Sequence, residues 1–203
     1  MSSTKRGGQR SPADNYPTPP WCVYRFLEKG PELPGGLWYE PCAGDGSIIR
    51  SVNDRRSDVD WAATEIRPEA CKLLRSMWPD YHVNEDSALD VLELPEEPSV
   101  VITNPPFFLA WELLNHLLRQ HPTAHVVLLL RLNFLGSKQR HSFMSNFAPD
   151  IYTLPNRPSF TKSGDTDSIE YSWYHWGPSP RARVEGKHKV LDLTSLEERR
   201  SQR

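Results

Sequence analysis

The chain has 203 residues, 24 of them basic and 26 acidic, 37% hydrophobic and 25% charged, which is enough for one domain with a real core plus short tails. No apolar run approaches the roughly 18 residues of a membrane span, since residues 124–130 are interrupted by His125 and followed by Arg131. The first residues lack the apolar stretch of a secretory signal, and three cysteines without ligand-type spacing argue against a disulfide framework or a zinc site. A cytoplasmic, reducing compartment is therefore expected.

Charge is unevenly distributed. Residues 1–13 carry Lys5, Arg6 and Arg10 and no acid, and residues 178–203 carry seven basic and four acidic residues, so each end is +3. Residues 14–177 hold 14 basic and 22 acidic residues, a net of −8. These shifts divide the chain into a disordered basic arm (1–13), a folded domain (14–177) and a flexible basic tail (178–203).

Tyr16-Pro-Thr-Pro-Pro20 is stiff and extended, because each proline fixes its own φ and biases its predecessor away from helix. The pattern then predicts a helix over 21–29, a strand over 37–43, a helix over 47–56 and a strand over 59–66. A helix over 68–78, with Pro68 in its first turn, precedes a short strand over 81–84. Strand 100–103 runs into Asn104-Pro105-Pro106, and apolar residues at helical spacing mark a helix over 109–120. Residues 125–130 read as a central parallel strand and 138–147 as a helix. Strands 151–154 and 168–176 with no helix between them form an antiparallel hairpin around the 155–167 loop. Strand–helix alternation ending in a hairpin predicts a doubly wound, mostly parallel seven-stranded α/β sheet. Ligands of such sheets bind beyond the carboxyl ends of the strands.

Three segments sit at such ends. Glu40-Pro41-Cys42-Ala43-Gly44-Asp45-Gly46 is a strand-to-helix turn whose glycines let backbone approach a ligand. Glu65, 21 positions after Gly44, can accept hydrogen bonds from ribose hydroxyls, and Asp86 can meet an adenine amino group. A Gly-x-Gly alone also suits any tight turn; acids at the ends of successive strands favour the nucleoside. The full dinucleotide fingerprint is missing, with Ile49 at its third glycine position, and no P-loop sequence is present.

Asn104-Pro105-Pro106-Phe107 is the most specific signal. An exocyclic base nitrogen is a poor nucleophile, because its lone pair is delocalised into the ring. It needs two acceptors for its hydrogens, and the Asn104 side-chain oxygen and the Pro105 carbonyl offer them. Tandem prolines preset the directions of the loop carbonyls, and Phe107 offers a stacking face. A turn after a buried strand, with Phe107 against the core, is the structural alternative.

The sequence resembles the class I S-adenosylmethionine-dependent amino methyltransferases, in particular small phage-type DNA N6-adenine methyltransferases. Residues 14–19, 40–46 and 104–107 carry the resemblance, together with Arg157-Pro-Ser-Phe-Thr161 and Tyr171-Ser-Trp-Tyr-His-Trp176 of the hairpin. It covers about residues 15–176. It implies a cofactor, S-adenosylmethionine, with Tyr16, Thr18, Glu40, Pro41, Gly44 and Gly46 around its methionine part, Glu65 on its ribose and Asp86 on its adenine. It implies catalytic roles for Asn104, Pro105, Pro106 and Phe107 on a flipped DNA base, with no metal. Arg157, Phe160 and Lys162 would contact substrate. Many relatives carry Tyr where this chain has Phe107, and no target-recognition domain is inserted.

The implied reaction is methylation of adenine N6 in DNA, as in restriction–modification. Cytosine N4, an RNA base, a protein glutamine amide and a catalytically silent binding subunit are the alternatives. A homodimer or a separate specificity subunit is compatible with the sequence. With so acidic a domain, DNA contacts are expected from the basic ends and the 155–167 loop, whereas Lys138 and Arg140 suit either phosphate contacts or plain solvation. Arg131 suits either the site or a structural ion pair.

Overall fold

A computed structural model of the chain describes residues 16–91, 93–160, 169–178 and 186–202. Its elements are α1 (Pro20–Lys29), β1 (Gly36–Glu40), α2 (Ser47–Asn53), β2 (Val59–Glu65), α3 (Pro68–Met77), β3 (His82–Glu85), β4 (Val100–Thr103), α4 (Ala110–Gln120), β5 (His125–Arg131), α5 (His141–Asn146), β6 (Asp150–Thr153), β7 (Tyr171–Trp176), β8 (His188–Val190) and α6 (Leu196–Ser201).

The strands form one sheet in the order β3-β2-β1-β4-β5-β7-β6-β8. β3 to β5 are parallel; β7 runs antiparallel to both β5 and β6. From β1 the chain winds outward to β2 and β3, then returns to place β4 on the other side of β1. That reversal opens a crevice above the carboxyl ends of β1 and β4.

Period-two alternation divides the core between the two faces of the sheet. Val127, Leu129, Tyr171 and Trp173 join Trp21, Phe26, Ile48 and Trp61 on the α1 and α2 side. Val126, Leu128, Leu130, Tyr174 and Trp176 join Leu113, Leu114 and Leu117 of α4 on the other. The two-sided burial explains why β5 reads as a continuous apolar run. Trp173 is fully buried, and its indole N–H donates to the Cys22 carbonyl at 2.9 Å, fixing α1 to β7.

The expected seven strands and hairpin are present, and an eighth strand is added by the segment expected to be a flexible tail. β8 pairs in parallel with β6, Leu191 and Thr194 are buried, and Ser195 caps α6 by accepting from the Glu198 N–H at 3.1 Å. Arg25 of α1 holds the segment through Thr194 Oγ1 at 3.1 Å and Glu198 Oε2 at 2.7 Å. The composition, rich in Pro, Arg, Lys and Glu, concealed a short strand and a Ser195-x-x-Glu198 cap. The 1–13 arm and residues 161–168 and 179–185 lie outside the described residues. No helix among the described residues is long and apolar enough to cross a membrane.

Candidate functional site

Two left-handed glycines build the turn after β1: Gly44 at φ 59° and Gly46 at φ 74°. A side chain is strained at such angles. At Gly46 it also has no room, since a Cβ would lie 2.6 Å from the Trp78 ring and 2.9 Å from Leu74. The turn closes through Gly46 N–H to the Ala43 carbonyl at 2.8 Å, and Gly46 opens α2 by accepting from Arg50 N–H at 2.9 Å.

Glu65, at the end of β2, braces the turn from the side. It is 6% exposed. Its Oε2 accepts from Gly44 N–H at 2.8 Å, and its Oε1 accepts from the Arg67 backbone N–H at 2.9 Å and from Arg67 Nε at 2.8 Å. The carboxylate predicted to meet ribose therefore also holds the glycine turn in shape. Asp86 follows β3, exposed, with Oδ1 accepting from Ser87 N–H at 2.7 Å. Its own N–H donates to the Glu65 carbonyl at 3.2 Å, which sets these two acids on adjacent strand ends.

Glu40 ends β1 at 2% exposure, with Pro41 buried beside it. Burial pushes its carboxyl well above the usual carboxylate range, and Asp45 and Glu65 push it further, while the Ile49 N–H opposes them. Its Oε2 is buried without a hydrogen-bond partner among the described residues. Burial, Glu40 and Glu65 likewise push the neighbouring Cys42 thiol up to about 12. The turn is thus a concentrated negative field around one unsatisfied acceptor, an environment that favours a cation.

Asn104, Pro105, Pro106 and Phe107 follow β4, the strand that pairs directly with β1. The Pro106 carbonyl accepts from Leu109 N–H at 2.9 Å, turning the loop into α4. The Pro105 carbonyl makes no hydrogen bond among the described residues. The Asn104 amide nitrogen donates to Thr18 Oγ1 at 3.1 Å, and Thr18 N–H donates to Ser47 Oγ, at the start of α2, at 3.0 Å. Thr18 is 2% exposed, whereas Tyr16, two residues earlier, is exposed. The proline-stiffened N-terminal strap therefore links the glycine turn to the Asn104 loop.

Phe107 is half-buried. The Arg131 guanidinium lies 4.1 Å from its ring centre and donates from Nε to the Tyr171 hydroxyl at 3.2 Å. Arg131 is thus placed beside the loop, against an aromatic face. Phe108, which sequence reasoning passed over, is the ring turned outward, 74% exposed. A second aromatic after the motif was its only signal.

Of the three hairpin residues expected to contact substrate, two lie among the described residues. Phe160 is buried edge-on against Tyr171 at 5.0 Å, and Arg157 pairs with Glu170 at 2.6 Å in solvent. Lys162 lies outside the described residues. Among the described residues no group of three or more His, Cys, Asp or Glu side chains is placed to hold a metal ion.

No family model and no curated protein matches the sequence. Solved structures do match in fold. A Listeria monocytogenes protein assigned as a class I S-adenosylmethionine-dependent methyltransferase superimposes with a TM-score of 0.60 at 14% identity, over 96% of this chain and 71% of that one. A Pyrococcus horikoshii protein assigned as an RNA methyltransferase gives 0.59 at 13% identity, over 83% and 90%. The 23S rRNA methyltransferase ErmE gives 0.56 at 17% identity, over 81% and 70%. The fold of this chain is the Rossmann-like fold of those methyltransferases.

Proposed function

We propose that the chain transfers a methyl group from S-adenosylmethionine to the N6 amino group of adenine in DNA. The observation that carries this reading is the Asn104 amide, held by Thr18 at the end of β4, directly beside the Gly44–Gly46 turn at the end of β1.

The residues present fit the cofactor. The unsatisfied Glu40 oxygen and the surrounding acids suit a ligand bearing positive charge, and left-handed glycines leave room for its approach. Glu40, Gly44 and Gly46 would hold its methionine part, and Glu65 and Asp86 its nucleoside. When bound, S-adenosylmethionine supplies an electrophilic methyl group.

The chain's own contribution is acceptor geometry. With its nitrogen turned to Thr18, the Asn104 amide is oriented to offer Oδ1 elsewhere. The Pro105 carbonyl, unengaged among the described residues, offers a second acceptor on the same stiff loop. Two acceptors on the two amino hydrogens draw the nitrogen lone pair out of the ring, where it becomes nucleophilic. Because these dipoles are already oriented, little reorganisation is needed at the moment of transfer. Phe107, braced by Arg131 and Tyr171, supplies the wall against which a flipped base stacks.

Cytosine N4 is the second reading, favoured by the same pair of acceptors, which suit either amino group. Incubation of the full-length protein with labelled S-adenosylmethionine and separate DNA, RNA and protein pools tests both. N6-methyladenine in the DNA pool is the expected product by nucleoside mass spectrometry. N4-methylcytosine establishes the second reading, and label confined to RNA or protein overturns both.

A further inference from the structure

Residues 131–149 leave the carboxyl end of β5 and carry three basic residues, Arg131, Lys138 and Arg140, together with His141 and no Asp or Glu. The rest of the 14–177 domain holds 11 basic residues against 22 acidic ones (14 less these three). An acid-free basic stretch in so acidic a domain is a local reversal of field.

Two of its three basic residues build the framework. Arg140 Nε donates to the Phe134 carbonyl at 2.8 Å, with its guanidinium 4.3 Å from the Phe134 ring centre. Arg131 lies against Phe107, joining the segment to the Asn104 loop. The third, Lys138, faces solvent, as does His141. Lys138 and His141 line an open groove of about 510 Å³ between residues 135–138 and α5, together with Leu135, Ser137 and Met144. That volume is within the range of about 300–1,000 Å³ that takes a small ligand or one nucleotide. Because β4 and β5 are parallel neighbours, with Thr103 level with Leu128, their loops emerge side by side. Arg131, the first residue of the segment, reaches the Phe107 ring of the Asn104 loop, so the segment starts beside the proposed base site.

Resting on the reading that the Asn104 loop holds a DNA base, we infer that this groove holds the DNA strand flanking that base. Lys138 and His141 contact its phosphates, and Leu135 and Met144 meet sugar or base. A protein glutamine substrate gives no reason for a lysine and an imidazole on an acid-free wall, whereas a phosphodiester chain does. The C-terminal segment is a poorer candidate. Residues 186–202 carry four basic and three acidic residues and are folded onto α1 and β6, with β8 three strand positions from β5, about 14 Å.

Fluorescence anisotropy with a labelled 12-base-pair DNA duplex, its single strand and the RNA of the same sequence, across several salt concentrations, tests the inference on full-length protein. The combined Lys138→Glu and His141→Glu variant is expected to bind DNA at least tenfold more weakly. Its salt slope should be about one unit shallower, the phosphate contact of Lys138 contributing about 0.9. Lys187→Glu, on the C-terminal segment, should match wild type, and calorimetric S-adenosylmethionine affinity should be the same in every variant. Unchanged affinity and slope in the combined variant overturn the groove. An equal loss in Lys187→Glu moves the DNA to the C-terminal segment, and a tenfold preference for RNA overturns the DNA assignment. If the wild type does not bind S-adenosylmethionine, the methyltransferase reading fails, while the binding measurements still decide the groove.

Discussion

The Thr18 hydroxyl accepts a hydrogen bond from the Asn104 side-chain amide across 86 residues of sequence, and both partners lie at the crevice where the sheet reverses direction. An amide has two faces of opposite polarity. A neighbour that occupies its nitrogen decides where its oxygen points.

Thr18→Val keeps the shape and removes the acceptor. Asn104 is part-buried, so leaving its amide nitrogen unpaired costs up to about 1–3 kcal/mol, and the amide becomes free to rotate. We expect kcat to fall about 5- to 100-fold with little change in the Kd for S-adenosylmethionine, and Thr18→Ser to restore most of the rate. A loss confined to cofactor affinity, or no rescue by serine, would show that Thr18 does not position Asn104.

Asn104→Ala removes an acceptor that matters most in the transition state. By analogy with oxyanion donors, the expected loss is about 10²–10³ in kcat, with cofactor binding retained. Single-turnover transfer and calorimetry on the same preparation separate the two effects. Near-normal turnover by the folded variant would remove Asn104 from the chemistry.

Glu40 makes both stability and cofactor affinity depend on pH. Its folded pKa is raised, so its favourable contribution is fully present below the ordinary carboxylate range and is lost as pH rises through the folded value. Glu40→Gln removes that dependence. The cofactor-free variant should therefore gain Tm relative to wild type as pH increases, with the difference vanishing near pH 4. A bound cation favours the carboxylate, so wild-type cofactor affinity should rise over the same interval, with proton release detectable by calorimetry in buffers of different ionisation enthalpy. Parallel Tm profiles for the two proteins would refute the assignment.

Truncation after residue 185 removes β8, the buried Leu191 and the Arg25–Glu198 ion pair. Leu191 alone is worth about 1.5–3 kcal/mol. At about 2–4 °C per kcal/mol for a chain of this size, Tm should drop by at least about 5 °C. Cofactor affinity should hold, because the strand ends of β1 and β2 are untouched. An unchanged Tm would mean that the segment adds nothing to stability.

Local signals made much of this fold legible. The bounds of β4 agree with the apolar run before Asn104, and the breadth of the β5 run announced a strand buried on both faces. Helix ends were less visible: α2 stops at Asn53 although helix-compatible residues continue to Arg56. β8 and α6 were hidden because average composition outweighed a single cap. At the site, residue types and order pointed to Gly44, Glu65 and Asn104, but their partners lie far away in sequence. Neither the Thr18–Asn104 bond nor the use of Glu65 as a brace for Gly44 leaves a local pattern. The outward turn of Phe108 depends on how α4 packs, which spacing alone does not determine.

The hold of Arg25 on Glu198 spans 173 residues and that of Trp173 on Cys22 spans 151. Helix α1 is made well before these partners, which follow it 151 and 173 residues later in the chain. Such long-range closure is slow, because loop entropy is spent before these contacts form. The apolar face of α1, with Trp21, Val23 and Phe26, can meet Ile48 and Ile49 of α2 early, but the part covered by Trp173 stays open until β7 is made, exposed to chaperones and to neighbouring chains.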